Sequence, residues 1–198
     1  MNILKYLLFL PVIFAEINLP ILLNNIKTVT KPIKTENNIT LEYYTGKWFQ
    51  AATSKSTALM GTGTNFSSVT AIYDCIKNCS NNNISVLNQG INNKGNNVSI
   101  SGFSYCKNVN KPGKRKLKFF NLPFIGNYWI IKLGPVINNK YDYAIVSGPI
   151  SRFFGTRFSL YVLCRDIDFY RKNYEKDIKE WCNNNGFIFP WNKYVETE

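Results

Sequence analysis

Short segments that alternate apolar with polar residues recur along most of the chain and predict antiparallel β-strands. From Lys47 onward these segments are rich in β-branched and aromatic residues, and clusters of Asn, Gly and Pro separate them, as in β-sandwiches and β-barrels. The predicted strands are residues 47–53, 68–76, 84–91, 98–106, 115–120, 128–133, 142–147 and 159–164. We therefore expect an all-β fold of about eight antiparallel strands, the number that closes into a barrel wide enough for one small ligand.

The segments between the strands assign the two ends of such a barrel. Those rich in the Asn, Gly and Pro of tight turns are residues 77–83, 92–97, 108–114 and 135–140. Alternate turns of an up-and-down barrel lie at the same end. The longer or more apolar connections 54–66, 121–126 and 148–157 are therefore expected to share one mouth, and residues 77–83, 108–114 and 135–140 the other end.

The N-terminal residues follow the order of a signal peptide, because Lys5 precedes a short apolar run that ends in Ala15. We therefore divide the chain into a signal peptide (1–15), an N-terminal arm (16–38) and one domain (39–198). The expected location is outside the cell or in the lumen of the secretory pathway, or a vacuolar compartment if the source is an intracellular parasite.

The C-terminal region predicts one helix over residues 168–185, packed against the outside of the barrel. Its apolar residues recur at helical spacing and are Tyr170, Tyr174, Ile178 and Trp181. Gly186 follows at the position where a helix commonly ends.

Five cysteines in an exported chain favour disulfides and leave one thiol over. Cys75, Cys79 and Cys106 all fall at the end opposite the mouth, so Cys106 is expected to pair with one of the other two. Cys164 and Cys182 are then the candidates for a second pair.

The formal net charge of +12 favours anionic partners, such as an acidic ligand or an anionic membrane surface. Nucleic acid is not expected, because the basic residues are dispersed and residues 111–118 are the only compact basic run. The chain has no His, no P-loop, no Gly-rich dinucleotide motif and no zinc-type Cys pairing. We therefore expect no catalytic residues, no metal site and no cofactor.

Gly46, Lys47 and Trp48 open a series of motifs that continues through residues 71–73, 84–90, 122–131, 141–146 and 160–165. This series resembles the lipocalins, and its pattern is closest to the bacterial outer-membrane lipocalins and apolipoprotein D. The resemblance implies an eight-stranded antiparallel up-and-down barrel with one C-terminal flanking helix. It also implies that Trp48 lies under the closed end with Arg165 stacked over it. A link from Cys106 to the C-terminal segment, found among related lipocalins, is the alternative disulfide.

Alternation along two strands assigns side chains to the barrel interior. In residues 115–119 the lysines must face water, so Leu117 and Phe119 are expected to face inward. In residues 128–133 an outward Lys132 sends Trp129, Ile131 and Leu133 inward. These side chains line a ligand cavity, or alternatively they fill the barrel completely.

An apolar rim beside basic residues is expected at the mouth. The apolar residues are Leu59, Met60, Phe124, Ile125, Phe153 and Phe154, and the basic ones are Lys55, Arg152 and Arg157. Such a rim can admit an amphiphile and hold its anionic head group, or rest on an anionic membrane. Simple packing of the loops is the alternative.

These features favour a secreted protein that binds and carries a small hydrophobic or amphiphilic ligand without making or breaking a bond. The candidate ligands are a fatty acid, a lysolipid, a sterol or a tetrapyrrole, and the apolar walls do not choose among them. The alternative is an oligomeric structural or interaction module with a filled barrel, in which the arm and the unpaired Cys serve a homo-oligomer.

Overall fold

The computed structural model of the chain describes residues 33–60, 66–79, 82–152 and 155–197. Side chains are described at these residues except at positions 58–60, 151, 152, 155 and 156. The predicted signal peptide and most of the predicted arm lie outside the described residues, so these two assignments stay predictions.

Eight long strands form one antiparallel sheet. They are β1 (Gly46–Thr53), β2 (Phe66–Cys75), β3 (Asn83–Asn92), β4 (Asn97–Cys106), β5 (Lys114–Phe119), β6 (Ile125–Leu133), β9 (Tyr143–Arg152) and β10 (Gly155–Cys164). The short strands are β7 (Val136–Ile137), β8 (Lys140–Tyr141) and β11 (Val195–Glu196). Each long strand overlaps one of the predicted segments.

The sheet closes on itself. Each long strand pairs with the next long strand along the chain, and β10 pairs with β1, where Phe49 lies opposite Cys164 and Thr53 opposite Tyr161. Strand β1 pairs with β2 only as far as Phe49, and β11 then pairs with β1 at Ala52 and Thr53. The predicted eight-stranded up-and-down barrel is therefore confirmed.

A short helix, α1 (Leu41–Tyr44), leads into β1 at one end of the barrel. Leu41 and Tyr44 are buried and share one apolar cluster with Trp48 and Ile84 inside the barrel. Gly46 stands between helix and strand with a φ of +95°, a left-handed conformation that glycine adopts without steric cost. The helix and this turn place Trp48 beneath the barrel interior.

Two helical segments, α2 (Ile167–Asn173) and α3 (Glu175–Asn184), pack against the outside of the barrel. The Asp166 carboxylate caps α2 by accepting a hydrogen bond from the Phe169 backbone N–H at 2.9 Å. The buried side chains of the helices are Tyr170, Ile178 and Cys182. The predicted flanking helix is present and comprises two segments that meet at Tyr174, whose φ of −128° departs from helical geometry.

None of the helices in the described part of the chain is long and apolar enough to cross a membrane.

Strand β6 contains a β-bulge that reverses its expected alternation. Its register on β9 steps from Ile130 to Lys132, so Ile131 is the extra residue. As a result Ile130 packs in the interior cluster, whereas Trp129 and Ile131 pack in the outer cluster beneath the helices. The expectation that Trp129 and Ile131 line the interior is therefore wrong. Leu133 follows the bulge and packs on the interior cluster, as expected.

One disulfide joins Cys75 and Cys79, whose Cα atoms are 4.9 Å apart in the turn after β2. Cys106, Cys164 and Cys182 are free thiols. The expected disulfide at Cys106 is therefore not formed, and neither is a Cys164–Cys182 pair. The Cys106 thiol instead donates to backbone carbonyls of the turn between β4 and β5, at 2.9 and 3.3 Å.

Candidate ligand-binding cavity

A cavity of about 290 Å³ lies inside the barrel and is partly open to solvent. Strands β2 to β6 supply most of its wall. The apolar lining residues are Phe66, Val69, Ala71, Val98, Ile100, Leu117, Phe119 and Leu163. Every polar lining residue among the described residues is uncharged. The volume is at the lower limit of ordinary ligand pockets, which hold about 300–1,000 Å³.

Strand β5 places its alternate residues in the interior. Leu117 and Phe119 line the cavity and are nearly fully buried, as alternation predicts. Lys116 and Lys118 lie on the other face, where the Lys116 ammonium donates to Asn127 Oδ1 at 2.7 Å. The same alternation places Arg115 inside the barrel, one step nearer the closed end.

Arg115 is a buried cation that the sequence analysis missed, and its side chain is 0% exposed. Its guanidinium donates to Ser104 Oγ at 3.0 Å, to the Ser104 carbonyl at 3.2 Å and to the Asn82 carbonyl at 2.6 Å. Its Nη1 is buried without a hydrogen-bond partner, and no carboxylate of the described residues pairs with it. Burial lowers the pKa of this guanidinium.

Three tyrosine hydroxyls form a chain at the floor of the cavity. Tyr44 Oη and Tyr128 Oη are 2.6 Å apart, and Tyr128 Oη donates to Tyr73 Oη at 3.0 Å. Tyr73 and Tyr128 also line the cavity. Burial raises the pKa of Tyr44 and Tyr128 well above the usual value and that of Tyr73 to about 12, so all three hydroxyls are protonated near neutral pH.

Asn88 is a second polar group of the wall. It lies opposite Ala71 in the β2–β3 register, and Tyr73 is two residues further along β2. The Asn88 side-chain oxygen is buried and accepts no hydrogen bond from the described residues. Because a buried acceptor without a donor is costly, a group supplied by a ligand would stabilise it.

Arg165 lies at the closed end of the barrel, on the side of the tyrosine chain away from the cavity. Its guanidinium carbon lies 3.5 Å from the Trp48 ring centroid. It donates to the backbone carbonyls of Lys47 at 2.7 Å, of Thr45 at 3.0 Å and of Tyr141 at 3.1 Å. The indole N–H of Trp48 donates to the Tyr44 carbonyl at 2.8 Å. The geometry is the stack that the sequence resemblance implied.

The mouth is described in part. Phe124 and Ile125 are 45% and 52% exposed, and Lys55 is also exposed. The Arg157 guanidinium carbon lies 5.0 Å from the Trp191 ring centroid, and Arg157 does not line the cavity. The remaining predicted mouth side chains lie outside the described residues; they are Leu59, Met60, Arg152, Phe153 and Phe154.

Trp129 lies in a separate outer groove. Its ring is 6.3 Å from the Phe158 ring, and the Lys114 ammonium lies 4.8 Å from its centroid. Ile33 and Lys34, which precede the barrel, also line this groove. In the described part of the chain, no group of three His, Cys, Asp or Glu side chains is placed to hold a metal ion.

The comparisons with known proteins agree with this architecture. Apocrustacyanin C2 superposes with a TM-score of 0.56 at 20% identity, covering 80% of this chain and 78% of that one. Lobster apocrustacyanin A1 superposes with a TM-score of 0.55 at 19% identity (78% and 77% covered). H1 crustacyanin from the lobster Homarus americanus gives 0.54 at 18% identity (82% and 79% covered). These likenesses show a shared fold.

No curated protein sequence matches the chain significantly. The family model described as a lipocalin-like domain matches residues 39–189, which are most of the chain. The chain therefore belongs to the lipocalin-like family.

Proposed function

We propose that this lipocalin is a carrier that holds one small hydrophobic or amphiphilic molecule in the barrel and catalyses no reaction. The observation that carries the proposal is the cavity of about 290 Å³, with apolar walls and uncharged polar groups. Such a lining is typical of ligand pockets. The candidate ligands are a fatty acid, a lysolipid, a sterol or a tetrapyrrole. The open cavity argues against a barrel filled by its own side chains.

The proposal places the carrier in an oxidising compartment outside the cytosol. The Cys75–Cys79 disulfide supports this location, because disulfides persist in secreted proteins and are reduced in the cytosol. The N-terminal sequence pattern of a signal peptide supports it independently.

A substitution at the cavity wall tests the carrier function. Val98 lines the cavity and is 36% exposed, so Val98→Trp should obstruct the cavity with little strain on the core. Val136→Trp makes the same change on the exposed β7–β8 hairpin, outside the cavity. We expect Val98→Trp to weaken binding of a bound hydrophobe at least roughly tenfold, while Val136→Trp leaves it unchanged.

Isothermal titration calorimetry with candidate hydrophobes measures this difference, and native mass spectrometry of the exported protein reveals co-purified ligand and subunit number. If no hydrophobe binds the wild-type protein, or if both tryptophan variants bind equally well, the carrier function is refuted.

We further propose that the mouth contacts an anionic membrane during ligand exchange. Phe120, Phe124 and Ile125 lie exposed on the β5–β6 hairpin, and the net charge of +12 favours an anionic surface. The protein should float with phosphatidylcholine vesicles that contain phosphatidylserine, and Phe124→Asp should release it. Val136→Asp, at the other end of the barrel, is the control. Equal flotation of both variants would contradict membrane contact through the mouth.

A further inference from the structure

The hydrogen bonds of the tyrosine chain at the cavity floor all run in the same direction, from Tyr44 through Tyr128 to Tyr73. Each tyrosine hydroxyl has one hydrogen, and Tyr128 donates its hydrogen to Tyr73. Tyr128 therefore accepts from Tyr44 across their 2.6 Å contact. No hydrogen bond to a described residue uses the hydroxyl hydrogen of Tyr73, which lines the cavity. The chain thus ends in a donor at the floor, and each bond along it polarises the next.

A fully buried arginine, Arg115, and a partly exposed one, Arg165, make this floor electropositive. Arg115 interacts electrostatically with Tyr44 and Tyr128, and Arg165 interacts with Tyr44 and Tyr73. Arg165 has the Trp48 face and several carbonyls as partners. Arg115 is fully buried with one nitrogen unpartnered and no carboxylate among the described residues beside it. A buried cation without a counter-ion is costly, and an anion at the floor would compensate its charge.

From this arrangement we infer that the cavity takes a carboxylate-bearing amphiphile with its acid end down, so that a carboxylate oxygen accepts the Tyr73 hydroxyl hydrogen. The inference rests on the proposed carrier function and specifies the ligand class and its orientation. The alkyl chain then lies between the apolar walls that include Leu117 and Phe119 and leads toward the mouth.

The Asn88 amide supplies a second contact near the floor. Its oxygen has no donor, and the two ends of an Asn amide are exchanged by rotation through 180°. Asn88 lines the cavity, so an amide rotated in this way would donate from its NH₂ to the carboxylate. At the mouth, by contrast, Arg157 already lies over Trp191, and no charged side chain of the described residues lines the cavity. The described residues therefore favour the floor for the acid.

Removal of the floor donor tests the inference. Dodecanoic acid and dodecanol are titrated by calorimetry into the wild-type protein and into Tyr73→Phe, which keeps the ring and removes the hydroxyl. Because hydrogen bonds to charged groups are stronger than neutral ones, Tyr73→Phe should weaken the acid at least about tenfold and the alcohol much less. Tyr105→Phe, which changes a tyrosine outside the cavity lining, should alter neither affinity.

Asn88→Leu is a second variant that removes no hydrogen bond to its side-chain oxygen, so it should fold. It should weaken the acid by a factor of about three to ten and leave the alcohol unchanged or tighter. If the acid binds Tyr73→Phe and Asn88→Leu as tightly as it binds the wild-type protein, the acid-down orientation is wrong. If neither acid nor alcohol binds the wild-type protein, the carrier function fails as well, so the two failures are distinguishable.

A measurement without any substitution gives the orientation directly. Dodecanoic acid carrying carbon-13 at either its carboxyl or its methyl end is bound to the wild-type protein, and a water-soluble paramagnetic reagent is added. The acid-down orientation predicts that the reagent broadens the methyl signal more than the carboxyl signal. Stronger broadening of the carboxyl signal would place the acid at the mouth and overturn the inference.

Discussion

Replacement of Trp48 by alanine is expected to lower the free energy of unfolding by about 4 kcal/mol. The indole is fully buried, and large aromatic truncations in a core cost about 3–5 kcal/mol. The Arg165 guanidinium lies 3.5 Å from the ring centroid, and a cation–π contact at such a partly buried site contributes about 1 kcal/mol of this loss. The Tyr44 carbonyl, which accepts from the indole, keeps a hydrogen bond from Arg165 at 3.3 Å. That remaining bond limits the cost of the lost donor.

Urea unfolding followed by far-ultraviolet circular dichroism measures the change, because this signal does not depend on the removed fluorophore. Trp191→Ala is the matched control: Trp191 stacks on the Phe189 ring and, like Trp48, lies near a guanidinium, but it is only partly buried. We expect the control to cost about 1 kcal/mol. If Trp48→Ala costs no more than Trp191→Ala, Trp48 does not anchor the closed end of the barrel.

Three further predictions follow from buried or local contacts. The double variant Cys75→Ser with Cys79→Ser should lose about 2 kcal/mol by urea unfolding, since the closed loop is short, and thiol titration of the unreduced wild-type protein should find three free thiols. Trp129→Ala should leave hydrophobe affinity unchanged by calorimetry, because the ring lies outside the cavity; a large loss of affinity would refute this placement. Burial raises the pKa of Tyr73 from 10.0 and of Cys164 from 9.0 to about 12 in each case, so the folded state retains these protons longer than the unfolded chain. Their contribution to stability is complete below about pH 9 and should fall as pH rises toward 12; equal urea midpoints at pH 8.5 and 11 would contradict it.

The barrel and part of its wall could be predicted from local pattern. Alternation and turn residues recur within a few positions of one another, and these local signals located the eight strands and the flanking helical region. The inward positions of Leu117 and Phe119 follow from the same rule, because β5 is regular and its lysines must face water. The motif residues Trp48 and Arg165 marked the closed end through family resemblance.

The folded structure decided the rest. The bulge at Ile131 exists only in the register of β6 on β9. Because of this one extra residue, the side chains of β6 that precede the bulge, including Trp129, lie on the opposite face from the one that alternation with Lys132 predicts. The Cys75–Cys79 link likewise depends on how the turn after β2 folds, which cysteine spacing does not specify. The floor of the cavity depends on closure most of all. Tyr44, Tyr73 and Tyr128 are far apart in the chain, and their hydroxyls meet only because β10 pairs with β1 and closes the sheet around them.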